Sequence, residues 1–135
     1  MRASTGIDGF DQLVDGGLLR ERLYILSGPP GSGKTTFSAQ FVTEGARGGE
    51  KCLFLSMHET ESELTHDMSS YDFGFEKAVR SGNLQFRNVF DSNAKRLLKG
   101  ASGSDFSSGV QNMTNRLVGF INSREIDRLV VDSTM

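Results

Sequence analysis

The residues with the clearest chemistry lie in one run of eight, Gly28-Pro29-Pro30-Gly31-Ser32-Gly33-Lys34-Thr35. Glycines at 28 and 33 let a backbone turn tightly and approach a ligand with no Cβ in the way. The amides from Gly31 to Thr35 then point inward as an anion nest, reinforced by the positive end of the helix dipole that follows. Lys34 brings a cation to β- and γ-phosphate oxygens, and the Thr35 hydroxyl is placed to ligate Mg²⁺. Pro29 and Pro30 stiffen the loop in its bound shape and so lower the ordering entropy of binding. Ser32 and Thr36 complete the cradle. The pattern G-x-x-x-x-G-K-[ST], known as Walker A, arises by chance in about one window in ten thousand or fewer. These residues predict a site for nucleotide phosphates.

A metal beside that loop needs a carboxylate. Asp132 ends the apolar run Leu129-Val130-Val131 and suits a Walker B aspartate that holds Mg²⁺ through water. Many strands end in Asp only to cap the next turn; the loop at 28–35 favours the metal. A general base belongs at the C-terminal end of a neighbouring strand, where ligands collect in open parallel sheets. His58-Glu59 follows the apolar run Cys52–Ser56 and fits. Glu59 would polarise the attacking water, and His58 would do the same or orient it. A glutamate at that place also suits capping of the next helix or plain solvent exposure. His66 and Cys52 have no partner at ligand spacing and read as structural. Lys95-Arg96 with Lys99 reads as a solvated face.

The elements that must position these groups alternate along the chain. Leu23-Tyr24-Ile25-Leu26-Ser27 reads as a buried strand entering the glycine loop. Lys34–Arg47 carries Phe37, Phe41 and Val42 at helical spacing and stops at Gly48-Gly49. Cys52–Ser56 is a second buried strand. Thr60-Glu61-Ser62-Glu63 has the capping-box pattern, with Leu64, Met68 and Tyr71 on one helical face. Leu84–Val89 reads as a third strand, Gly100–Gly109 as a loop, and Val110–Ile121 as a helical stripe. Apolar strands alternating with helices imply an α/β fold, a mostly parallel sheet covered on both faces.

Bulk composition narrows the remaining classes. The chain has 135 residues, 36% of them hydrophobic, with a net charge of −2, enough for one domain with a core and not comfortably two. That balance excludes nucleic-acid binding through bulk charge and an acidic solvating tail. One cysteine excludes an internal disulfide framework and fits a reducing, cytoplasmic compartment. No apolar run approaches the roughly 20 residues of a membrane span, and the first residues form no signal segment.

Beyond these physical readings, Ser4-Thr5-Gly6-Ile7-Asp8-Gly9-Phe10-Asp11 followed by Gly16-Gly17-Leu18 resembles the opening of the KaiC-like branch of RecA-type ATPases. The resemblance continues through Gly28–Thr36, Leu53–Glu59, Phe73-Gly74-Phe75 to Leu84, Asp105-Phe106-Ser107 and Arg128–Ser133, and so covers nearly the whole chain. It implies a RecA-like P-loop core, Mg-ATP binding and usually hydrolysis, with ATP and Mg²⁺ as ligands. It also implies a homo-oligomeric ring with nucleotide at subunit interfaces, and protein partners. In the clock proteins two adjacent glutamates stand where this chain has His58-Glu59; Glu59 matches the second, and His58 replaces the first. In RecA-type sheets a further strand follows the Walker B strand and inserts between it and the Walker A strand. The expectation is therefore that residues 1–135 are the N-terminal portion of one such domain, incomplete at the centre of the sheet. Weak nucleotide affinity and poor solubility are expected of that portion alone.

The functions this leaves open are a slow ATPase driving assembly or partner exchange, an ATP-binding regulatory module with little turnover, and a DNA-repair recombinase paralogue. The charge balance, with no basic stripe, lowers the last. A small-molecule kinase is a further option without a recognisable lid or acceptor pocket.

Overall fold

The computed structural model describes residues 1–57, 59–88, 115, 118–119, 121–123 and 125–132. Three parallel strands form the main sheet: β3 (Cys52–Ser56) lies between β4 (Leu84–Asn88) and β5 (Arg128–Asp132). The register pairs Ser56 with both Asn88 and Asp132, so these three residues form one row at the C-terminal end of the sheet. Side chains alternate across a sheet. Cys52, Phe54, Leu84 and Val130 therefore share one face and pack in a single cluster with three helices. These are α2 (Lys34–Arg47), α3 (Glu61–Met68) and α4 (Phe75–Ser81).

Every residue of β3 is buried. Phe54 stacks on Phe86 with ring centroids 5.9 Å apart, and burying such a side chain contributes about 1.5–3 kcal/mol. Helix α2 supplies Ala39, Val42 and Ala46 to the same cluster. Its small residues let the helix lie close to the sheet. At Gly45 a Cβ would stand 2.5 Å from Arg128 Cδ and 2.8 Å from Cys52 Sγ, so no larger residue fits there. Helix α3 starts with the expected capping box: Thr60 Oγ1 accepts from the Glu63 amide (3.2 Å), and the Glu63 carboxylate accepts from the Thr60 amide (3.5 Å). It ends at Met68, before Tyr71, which is exposed.

The amino-terminal segment forms a hook on this body. It contains β1 (Arg2–Ala3), α1 (Asp8–Leu13) and β2 (Leu18–Leu19), with β1 and β2 paired antiparallel. Thr5, fully buried, donates its hydroxyl to Asp11 Oδ1 (2.7 Å), and its amide donates to Asp11 Oδ2 (3.0 Å). Gln40 of α2 donates to the Gly6 carbonyl (2.8 Å), and Phe10 meets Phe37 edge to face. The Thr5–Asp11 bonds close the hook on itself, and Gln40 and Phe37 fasten it to α2.

One sequence expectation changes here. Leu23–Ser27 forms no strand: residues 22–29 are irregular, and Leu23 and Ile25 are 89% and 86% exposed. A strand exists only with a hydrogen-bonding neighbour, and among the described residues β5 is an edge of its sheet with no strand on its outer side. The third strand forms as expected from Leu84 and is described through Asn88; Val89, the loop 100–109, the basic cluster at 95–99 and most of the stripe 110–121 lie outside the described residues. Residues 115, 118–119 and 121–123 are helical. No helix among the described residues is long and apolar enough to cross a membrane.

Candidate functional site

The phosphate loop ends where α2 begins. Gly33 is the N-cap residue with φ of 96°, and Gly31 has φ of 81°, a left-handed backbone that side-chain-bearing residues rarely adopt. Gly33 has no side chain to accept from the first turn. The amides of Lys34, Thr35 and Thr36 precede the first intrahelical bond, made by Phe37 to the Gly33 carbonyl. They therefore have no acceptor within the helix. The partial positive charge of the helix end falls at the same place. Ser32 turns the loop back by donating its amide to the Pro29 carbonyl (3.1 Å). The Lys34 ammonium folds over the loop, donating to the carbonyls of Gly28 and of Pro29 (3.3 Å). Residues 28–33 are exposed. Free helix-start amides and a nearby ammonium are donors of the kind that suit phosphate oxygens.

Thr35 and Asp132 meet although they are 97 positions apart: Thr35 Oγ1 donates to Asp132 Oδ2 at 3.0 Å. Asp132 is held by its own backbone, whose carbonyl accepts from the Met57 amide (3.0 Å). No group of three His, Cys, Asp or Glu side chains gathers among the described residues. A hydroxyl and one carboxylate beside a phosphate cradle nonetheless suit Mg²⁺, which binds one or two carboxylates plus phosphate oxygens and keeps several waters. The residues present therefore fit the metal.

Glu59 stands half-buried just past β3, on the same end of the sheet. Its amide donates to Ser56 Oγ (2.9 Å), and its carbonyl accepts from Asn88 Nδ2 (3.0 Å). His58 lies outside the described residues. A depression of about 650 Å³ beside α3, lined by Thr60, Thr65, His66 and Glu76 among others, includes no residue of the loop. The convergence of charge and donors marks the site.

Sequence reasoning passed over three residues that organise this region. Ser56 and Asn88 end apolar strands as polar residues, which is the signal that points to them. Arg128, at the start of β5, is buried, yet its type reads as surface. It donates to the carbonyls of Ser4 (2.6 Å) and Phe41 (2.9 Å), pairs with Glu50 (3.0 Å), and lies 4.7 Å from the Phe41 ring centroid. Glu50 also accepts from Arg20 (2.7 Å), a hydrogen bond that raises the Arg20 pKa above its ordinary value.

A parallel α/β sheet, a glycine loop at a helix start and a strand-end carboxylate on the threonine of that loop define a P-loop protein of RecA-like fold. The family model for the KaiC ATPase matches residues 3–135, and the chain belongs to that family of ATP-binding, RecA-type ATPases. The UPF0273 protein MK0039 of Methanopyrus kandleri is 33% identical over 89 residues, 66% of this chain and 35% of that protein. The circadian clock oscillator protein KaiC of a Picosynechococcus species is 31% identical over 84 residues, 62% of this chain and 16% of that protein. The circadian clock protein KaiC3 of a Synechocystis species is 35% identical over 85 residues, 63% of this chain and 17% of that protein. The chain thus spans about a third or less of the relatives it matches.

Proposed function

We propose that the full-length protein binds Mg-ATP at residues 28–36 and hydrolyses it slowly, using the cycle to drive assembly or the exchange of protein partners. In this reading residues 1–135 are the N-terminal portion of one ATPase domain that works in the cytoplasm as a homo-oligomeric ring. The observation that carries it is the Thr35–Asp132 contact at 3.0 Å beside an amide-rich helix start. Thr35 and Asp132 would hold Mg²⁺, which would supply charge neutralisation to the phosphate chain. Lys34 exchanges its loop carbonyls for phosphate oxygens and stabilises charge on the transferred group. Glu59 orients a water and accepts its proton as that water attacks the γ-phosphorus and the bond to ADP breaks; His58 helps orient it.

Binding is tested with a fluorescent ATP analogue and the full-length protein. Lys34→Ala should weaken affinity about tenfold or more, the loss of one charge-assisted contact set. Asp132→Asn should abolish most of the gain in affinity that Mg²⁺ confers. Equal affinity in wild type and Lys34→Ala would reject the site.

A second reading, an ATP-binding regulatory module with little turnover, is favoured by His58 standing where the clock proteins have a glutamate. Phosphate release by wild type against Glu59→Gln separates the two. Equal background rates in both would favour the module.

A further inference from the structure

We infer that Ser56 and Asn88 are positioning residues for Glu59, a role that rests on Glu59 being the water-orienting base proposed above. The two groups hold the peptide units on either side of the Glu59 Cα. Ser56 Oγ takes the Glu59 amide at 2.9 Å, and Asn88 Nδ2 gives a proton to the Glu59 carbonyl at 3.0 Å. Neither contact follows from secondary structure, because Glu59 stands outside the sheet ladder. Each comes from a polar side chain closing an otherwise apolar strand.

The register explains why two strands suffice. Ser56 pairs with Asn88 on one side and with Asp132 on the other. Alternation puts all three side chains on the face that packs α2. One row therefore holds both halves of the site: Asp132 takes the Thr35 hydroxyl, while Ser56 and Asn88 take the two ends of the Glu59 backbone. Ser56 is fully buried, so its hydroxyl cannot turn to bulk water without leaving the row. The place of the Glu59 backbone relative to the Asp132 end of the row is thereby tied to strand register. Positioning of this kind matters to rate, since a displacement of about 1 Å can cost on the order of a hundredfold.

The test is a double-mutant cycle on ATP turnover by the full-length protein. Ser56→Ala should lower kcat about tenfold with KM for ATP within about twofold, because an interaction felt only at the chemical step is lost. In the Glu59→Gln background the same change should cost less than about twofold, since the group it positions is gone. Asn88→Ala, at a half-buried site, should repeat the pattern and serves if Ser56→Ala folds poorly. An equal fractional loss in both backgrounds, or no loss on intact Glu59, overturns the inference and leaves the ATPase reading standing. If Glu59→Gln alone leaves turnover unchanged, Glu59 is not the base and both fall together.

Discussion

Cys52-Leu53-Phe54-Leu55-Ser56 and Leu23-Tyr24-Ile25-Leu26-Ser27 are two pentads of nearly the same character, apolar with one or more aromatics or β-branched residues and a terminal serine. Each delivers part of the site: the first leads to Glu59, the second to the phosphate loop. Their fates differ completely. The first is hydrogen-bonded on both sides and wholly buried; the second is irregular and exposed. An apolar run expresses a demand for burial, and only a neighbouring strand can meet the backbone's demand for hydrogen bonds. Thr35, Asp132 and Glu59 are consequently held by strand ends and a helix start, while Gly28–Gly33 follows a pentad that, among the described residues, pairs with no strand.

The sharpest way to break this contrast is to truncate one aromatic. Phe54→Ala should cost about 3–5 kcal/mol by urea denaturation, and a cost under 1 kcal/mol would show that β3 is not the centre of the core.

Alkali probes the same strand by a smaller effect. Burial, partly offset by the Arg128 charge, pushes the Cys52 thiol from its ordinary value near 9 up to about 12. The folded state binds the proton more tightly, so this contribution is whole below pH 9 and is lost as pH rises from 9 through about 12. Stability should fall across that window in wild type and less so in Cys52→Ala. Identical pH profiles would remove the thiol from the account.

Ile25→Ala tests the other pentad. In the 135-residue chain it should change stability by no more than about 0.5 kcal/mol. A cost of about 2 kcal/mol or more in a longer chain would show that a further strand has come to lie against Leu23–Ser27.

Most of the site's frame was legible in the sequence. Helix α2 matches its expected bounds, because glycines stop it and its apolar spacing is regular. The β3 strand and the capping box at Thr60–Glu63 were legible for the same local reasons. What stayed hidden depends on distant partners. Two-residue strands such as β1 and β2 carry no period, and α4 is a short helix between glycine caps at Gly74 and Gly82. Arg128 is buried only because Glu50, 78 positions away, and the carbonyls of Ser4 and Phe41 receive its guanidinium. Ser56 and Asn88 belong to no motif; their role emerges once register aligns them. The pentad at 23–27 failed as a strand because apolar pattern is blind to whether a pairing edge is present.

Arg128 and Asp132 occupy opposite ends of one five-residue strand. Trimming the chain through Ser4 would remove one of the carbonyls that receive the buried Arg128 guanidinium, leaving Glu50 and the Phe41 carbonyl to hold it. Met1 is almost fully exposed; three residues later the amino terminus has become an anchor for the far end of the rod that carries Asp132.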